Sequence, residues 1–178
     1  MKNNSSFPDF EKWVDKGGRE IFSRWVTASS YSNLSPITQA YGVCFTEDGK
    51  VLVVKDLRDW IIPGGTLESG ESPEETLKRE VFEEATVVIN QNVFIGYHEV
   101  KIPNNSNLDE GDHFFQLRYA ALIKEVKPLQ PDPCSGRTMQ RIFIAQEEFN
   151  DYVKWRETGK KMFEEAQKKF KRWEEKIR

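Results

Sequence analysis

Apolar residues fall along this chain in two rhythms, one dense and short, the other spaced at three or four positions. The dense rhythm occupies residues 37–45 and 51–55, and the polar run Glu47-Asp48-Gly49-Lys50 between them predicts a β-hairpin. A third short piece, Trp60-Ile61-Ile62, runs into Pro63-Gly64-Gly65. Regular structure must end there, because proline lacks an N–H and glycine admits unusual backbone angles. Further strands are expected at 93–101, 114–126 and 140–144, with a polar loop from Pro103 to His113. Near the N-terminus, residues 20–31 read as extended, residues 8–15 as a short helix beginning at Pro8, Gly17-Gly18 as a break, and 29–36 as a loop.

The wider spacing marks helices. Ser72 can cap a helix that has Pro73 at its first position and Glu75 three residues after the cap, a capping box. Beyond residue 150, Phe163, Ala166, Phe170, Trp173 and Ile177 form an apolar stripe on a charged helix, with a break expected near Thr158-Gly159. The stripe lasts only about two heptads, which favours docking on the domain over a coiled coil. Strands interleaved with one well-framed helix and later helices predict an α/β layered domain.

Composition narrows this picture. The 178 residues suit one domain with terminal additions, and 38% hydrophobic against 31% charged residues excludes global disorder. A net charge of −3 argues against a general nucleic-acid binder. Cys44 and Cys134 belong to no Cys-x-x-Cys pair, so neither a disulfide scaffold nor a cysteine-rich zinc site is expected. No signal-like apolar run opens the chain and no stretch reaches the length of a membrane span, so a cytoplasmic protein without a membrane partner is expected. The charge is also unevenly placed: residues 64–87 hold seven Glu against Lys78 and Arg79, while residues 151–178 hold ten basic and six acidic side chains.

The acidic cluster carries the candidate chemistry. At about 100° per residue, Glu80, Glu83 and Glu84 share roughly a quarter of the helix circumference, beside an anchoring face of Leu77, Val81, Phe82 and Ala85. Three carboxylates held together repel unless a cation neutralises them, and hard oxygen donors suit Mg²⁺ or Mn²⁺. Arg79 lies four residues from both Glu75 and Glu83 and can hold a carboxylate in place. Gly64-Gly65 lets backbone carbonyls approach an ion, and Glu71 adds a carboxylate. Taken alone, the three glutamates favour a solvated helix face over a metal site. Gly65 to Ser72 also has the spacing of a phosphate-binding P-loop, but Glu71 stands where that loop needs lysine.

The whole string GGTLESGESPEETLKREVFEEATV resembles the Nudix box: Gly65, Glu71, Arg79, Glu80, Val81, Glu83, Glu84 and Val87 match, and Thr86 replaces a glycine. The approach, Trp60 to Gly65, is similar to the family's as well. The resemblance implies a Nudix-type α/β/α sandwich with a mixed β-sheet over residues 36–152, an N-terminal extension over 1–35, and a C-terminal amphipathic helix over 153–178. It further implies Mg²⁺-dependent attack of water on a phosphorus of a nucleoside diphosphate linked to another group. Glu80, Glu83, Glu84 and the Gly64 carbonyl would hold the metal, with Glu83 nearest the water and Arg79 and Glu71 supporting it.

Segments near the family's cleft put forward Arg58, Trp60 and Arg118 for substrate binding, together with His98, Phe114 and Tyr119. Glu110, Glu147 and Glu148 are candidates for a general base outside the box. His98 and His113 have no partner at zinc spacing, and Cys44 sits in an apolar strand. The two terminal segments are candidates for shaping the pocket or a homodimer interface. Thr86 should end the helix in an extended conformation, since a β-branched residue resists the left-handed one. A noncatalytic Nudix-fold binding module and an isopentenyl diphosphate isomerase are the alternatives, the latter lacking an evident Cys and Glu arrangement.

Overall fold

The computed structural model describes residues 7, 9–15, 17–56, 59–103, 112–131, 133 and 136–177. Its elements in chain order are β1 (Glu11–Val14), β2 (Glu20–Thr27), β3 (Ile37–Phe45), β4 (Val51–Asp56), β5 (Asp59–Ile61), β6 (Gly64–Thr66), α1 (Pro73–Ala85), β7 (Val87–Lys101), β8 (His113–Val126) and β9 (Gln140–Ile144). A 3₁₀ turn (Gln146–Glu148), the single turn α2 (Phe149–Tyr152) and the long α3 (Arg156–Ile177) follow.

Among the described residues the strands form a mixed sheet in the order β1-β2-β7-β8-β3-β4-β5, with β6 added on β3 and β9 on β4. β3 and β8 run parallel and the other pairs antiparallel. Both faces of the central strands are buried, which explains why β3 and β4 read as apolar runs rather than as alternation. Val43, Phe45, Val51 and Val53 face a core completed by Met162, Phe163, Ala166 and Phe170 of α3. Ala40, Cys44, Leu52 and Val54 face the opposite core, completed by Leu77, Val81 and Ala85 of α1. The sheet therefore lies between α1 and α3, an α/β/α arrangement.

Gly64-Gly65, where regular structure is expected to end, instead begins the short strand β6, paired antiparallel with β3 from Gln39↔Thr66 to Tyr41↔Gly64. Three further local expectations are corrected. Within the span read as a helix at 8–15, residues 11–14 are strand β1, paired antiparallel with β2 from Glu11↔Ser23 to Val14↔Glu20. The Asp15 carboxylate turns the chain: Oδ1 accepts from the N–H groups of Gly17 (2.8 Å) and Arg19 (2.9 Å). A hairpin thus outcompetes one isolated helical turn. β2 in turn pairs with β7, so these N-terminal strands extend the same sheet.

The second correction concerns the tail. α3 runs unbroken through Thr158-Gly159, and the interruption lies upstream at residues 153–155. Gly159 marks a close approach rather than a break, since a Cβ there would lie 2.5 Å from the Cβ of Trp155.

The third is Thr86, which caps α1 in the left-handed conformation (φ 50°, ψ 44°) instead of extending. Its N–H donates to the Phe82 carbonyl at 2.7 Å, its Oγ1 accepts from Gln130 N–H at 3.1 Å, and its carbonyl accepts from Lys127 N–H at 3.1 Å. The hydroxyl and carbonyl fasten residues 127–130 to the helix end, which offsets the backbone strain of a β-branched residue there.

Candidate functional site

The first turn of α1 is built as expected: Ser72 Oγ accepts from Glu75 N–H at 3.3 Å, and the Glu75 carboxylate accepts from Ser72 N–H at 2.8 Å. This rigid start fixes the rotation of the helix and hence the direction of its acidic face. Arg79 lies at the centre of that face. Its Nε and Nη2 clasp the Glu71 carboxylate at 2.7 and 2.9 Å, and its Nη1 donates to Glu80 and Glu83, both at 3.0 Å. Nη2 also donates to the carbonyl of Thr66 at 3.0 Å, which ties α1 to β6.

Glu71 also accepts from Thr76 Oγ1 at 2.7 Å and from Glu68 N–H at 3.2 Å. The Arg79 guanidinium, followed by the Thr76 and Glu68 donors, holds its carboxyl far below the usual value of 4.5, at about 2. The carboxylates raise the Arg79 guanidinium still further, Glu71 foremost.

The two glycines before α1 answer to different neighbours. Gly64 (φ 147°) accommodates the close pairing of β6 on β3, because a Cβ there would sit 2.4 Å from the Ala40 carbonyl. At Gly65 a Cβ would sit 2.3 Å from Glu80 Oε1, so the missing side chain makes room for a carboxylate. Gly64 N–H donates to Glu84 Oε2 at 3.0 Å. Glu71, Arg79, Glu80, Glu83, Glu84 and Gly64 are thus gathered where β6 meets α1. The four glutamates of this set supply hard oxygen donors, which suit a divalent cation of the Mg²⁺ or Mn²⁺ type, although among the described residues no three His, Cys, Asp or Glu form a ready-made cage.

Across the sheet a pocket of about 570 Å³ opens between β2, β7, β8 and β3 and the start of α3. It includes Tyr41, His98, Phe114, Gln116, Arg118 and Trp155. Arg118 is buried at 3% exposure, with its guanidinium 4.7 Å from the Tyr41 ring centre and 5.4 Å from that of Trp155. β6 joins the two regions: Gln39 of the pocket is in register with Thr66, and Tyr41 with Gly64.

Other candidate residues lie elsewhere. Trp60, on β5, packs edge-on against Tyr152 with ring centres 5.8 Å apart and is not part of the pocket lining. Tyr119 faces α1, where its hydroxyl donates to Glu74 at 3.0 Å, as does that of Tyr31 at 2.9 Å. Glu147 is exposed, and the Glu148 carboxylate accepts from Ala145 N–H at 2.9 Å at the start of the 3₁₀ turn. Arg58 and Glu110 lie outside the described residues. Cys44 is fully buried, and burial pushes its thiol up to about 12. No helix among the described residues is long and apolar enough to cross a membrane.

Tyr41, Gln116 and Trp155 were missed by sequence reasoning. The available signal was Arg118 itself, a lone charge inside the apolar run of β8.

A mixed sheet between two helical layers, with a carboxylate-rich helix entered through paired glycines, defines an α/β/α class of protein with a candidate cation site at the helix. The chain belongs to the NUDIX domain family, whose sequence model matches residues 36–173. Members of the family are in general pyrophosphohydrolases acting on nucleoside diphosphate derivatives with divalent cations. A curated relative, a MutT-like protein of Streptomyces ambofaciens, is 37% identical over 60 residues, 33% of this chain and 39% of that protein. The match therefore spans well under half of that relative's length.

Among solved structures, a mutant of the Bacillus subtilis pyrophosphohydrolase BsRppH aligns with TM-score 0.56 at 15% identity, over 75% of this chain and 77% of its own. A NUDIX hydrolase from Nitrosomonas europaea aligns with TM-score 0.54 at 18% identity, over 74% and 87% of the two chains. At such identities the likeness is one of fold.

Proposed function

We propose that this chain hydrolyses the pyrophosphate linkage of a nucleoside diphosphate joined to another group, by attack of water on phosphorus in a Mg²⁺-dependent reaction. The observation that carries this reading is the convergence of Glu71, Glu80 and Glu83 on the single guanidinium of Arg79, beside the contact between Glu84 and Gly64. A solvated helix face has no reason to bring a loop carboxylate, two helix carboxylates and a backbone carbonyl onto one cation.

Glu80, Glu83 and Glu84, with the Gly64 carbonyl beside them, would hold the metal. When bound, Mg²⁺ supplies positive charge to the pyrophosphate oxygens and lowers the pKa of a coordinated water. Arg79 holds Glu80 and Glu83 in a fixed orientation before substrate arrives. Glu71, itself clasped at two points, keeps Arg79 from swinging away. Glu83 is the residue assigned next to the attacking water. Glu147 is the more available of the two described candidates for a base outside the box, since Glu148 is engaged by Ala145 N–H.

The test is a panel of NDP-sugars, ADP-ribose, dinucleoside polyphosphates and deoxynucleoside triphosphates, assayed with Mg²⁺ and with Mn²⁺ for release of phosphate or nucleoside monophosphate. At least one compound should be cleaved, and Glu83→Gln should lower kcat by about 10²–10⁴-fold while the thermal melt is unchanged. Absence of cleavage across the panel with both metals would overturn the reading.

A further inference from the structure

Among the described residues, three buried side-chain polar atoms have no hydrogen-bond partner: Thr38 Oγ1, His98 Nε2 and Arg118 Nε. Two of the three belong to neighbouring strands of one pocket, where His98 pairs with Gln116 and Gly96 with Arg118. The side chains concerned are 6% and 3% exposed, and buried polar atoms left without partners are rare enough to need a reason.

Their chemistry can be read from the contacts they do make. Arg118 donates through Nη1 to the Leu117 carbonyl at 3.0 Å, and through Nη2 to Gln116 Oε1 at 3.0 Å and His98 Nδ1 at 3.3 Å. A guanidinium only donates, so Nδ1 of His98 is the acceptor and the ring is neutral with its hydrogen on Nε2. Burial, and then the Arg118 charge, hold the ring well below its ordinary pKa of 6.5, consistent with that form. Both unpartnered atoms are therefore N–H donors.

The charge balance points the same way. Arg118, Lys154 and Arg156 of the pocket have no carboxylate within ion-pair distance among the described residues. The one acidic side chain in the lining, Glu11, accepts from Thr158 N–H at 3.1 Å and Thr158 Oγ1 at 3.2 Å. Tyr41 and Trp155 cover the guanidinium, but ring faces do not accept its in-plane Nε–H. A neutral carbonyl could satisfy one donor and would leave the buried charge uncompensated. A phosphoryl group offers several acceptor oxygens on one centre together with the missing negative charge.

We propose that this pocket is a phosphoryl-binding site separate from the scissile pyrophosphate, with His98 Nε2–H and Arg118 Nε–H as its deep donors and Lys154 and Arg156 at its rim. It deepens the hydrolase reading, on which its use by substrate rests: the preferred nucleoside diphosphate derivative carries a further phosphate monoester. The two donor atoms are shielded in this conformation, and binding includes a displacement of Trp155. That ring lies against both groups, 5.4 Å from the guanidinium and 6.4 Å from the His98 ring, on the irregular segment between α2 and α3.

Two measurements test this in the full chain. With only two histidines in the sequence, the imidazole nitrogen signals in an NMR spectrum are readily assigned. Titration with inorganic phosphate should shift the His98 signals saturably and leave those of His113 in place. In Arg118→Gln, and in His98→Phe should the first variant fold poorly, phosphate binding should weaken by about tenfold or more. Absence of a saturable His98 shift in the parent protein would overturn the site.

The second measurement compares hydrolysis of matched nucleoside diphosphate derivatives with and without an added phosphate monoester. A KM about tenfold lower for the phosphorylated member, lost in Arg118→Gln, supports the substrate assignment. Phosphate binding at His98 with no such preference overturns the substrate assignment and identifies free phosphate as the occupant. Phosphate binding with no hydrolysis of any compound overturns the hydrolase reading and leaves the site standing, whereas hydrolysis without a His98 shift does the reverse.

Discussion

Arg79 and Arg118 stand on opposite sides of one sheet and illustrate two ways of keeping a guanidinium away from bulk water. Arg79 is about one-fifth exposed and hydrogen-bonds three carboxylates and a carbonyl, with the Glu68 carboxylate a fourth at 3.8 Å, so its charge is answered within the fold. Arg118 is almost wholly buried and meets two aromatic rings, a carbonyl, an amide and a neutral imidazole, so its charge is solvated but not cancelled. The first arrangement is preorganised and stable in itself. The second leaves a donor set whose remaining free energy is available to a ligand.

The largest effect that separates the two should come from replacing each with methionine. Arg79→Met leaves Glu71, Glu80 and Glu83 crowded without their cation. It should lower activity by about 10²-fold or more and destabilise by about 2–3 kcal/mol, a buried-pair penalty reduced for partial exposure. Arg118→Met removes an uncompensated buried charge and keeps most of the volume, so denaturant unfolding should show a change of less than about 1 kcal/mol. Equal losses in the two variants would break the comparison.

The paired glycines sharpen it next. Gly64→Ala drives a Cβ into backbone at a left-handed position and should cost about 2 kcal/mol or more in a chemical melt. Gly65→Ala meets the flexible end of Glu80 instead, so it should cost under about 1 kcal/mol yet lower kcat by about tenfold or more as the carboxylate is pushed aside. Unchanged kcat in Gly65→Ala would detach Glu80 from the reaction.

Acid should reach the two regions in sequence. The unfolded chain takes up a proton at His98 near pH 6.5 that the folded ring refuses, so stability falls as the pH drops below that value. Glu71 contributes stability above pH 4.5 that is lost as the pH falls toward about 2. Stability measured against pH should therefore flatten below 6.5 in His98→Phe, and only below 4.5 in Glu71→Gln. A parent curve with no slope between pH 6.5 and 4.5 would contradict the neutral His98.

The smallest effect is expected at Thr86. Glycine there relieves about 1 kcal/mol of left-handed strain but gives up the Oγ1 bond to Gln130 N–H and a buried methyl group. The net shift in a thermal melt should stay within about 1 kcal/mol in either direction. A clear gain would show the hydroxyl to be idle.

The acidic site was legible in the sequence because its parts lie within 24 consecutive residues, 64–87, where helical periodicity alone sets which carboxylates share a face. The capping box and the strands at 37–45 and 140–144 followed from equally local patterns. Failures occurred where a local preference met a distant partner. Residues 11–14 joined β2, Gly159 made room for Trp155, and Thr86 accepted strain in return for bonds to residues 127–130.

The pocket shows why the remainder needed tertiary structure. His98, Gln116 and Arg118 come from adjacent strands β7 and β8, Tyr41 from β3, and Trp155 from the segment before α3. No spacing relates them, because pairing register and helix docking bring them together. By itself the sequence determined the layered α/β class, the capped helix and its acidic face, all governed by interactions between near neighbours. Tertiary structure alone decided which carboxylates share Arg79, how Thr86 ends the helix, and that Arg118 is buried without a counter-charge, since burial and compensation depend on residues distant in the chain.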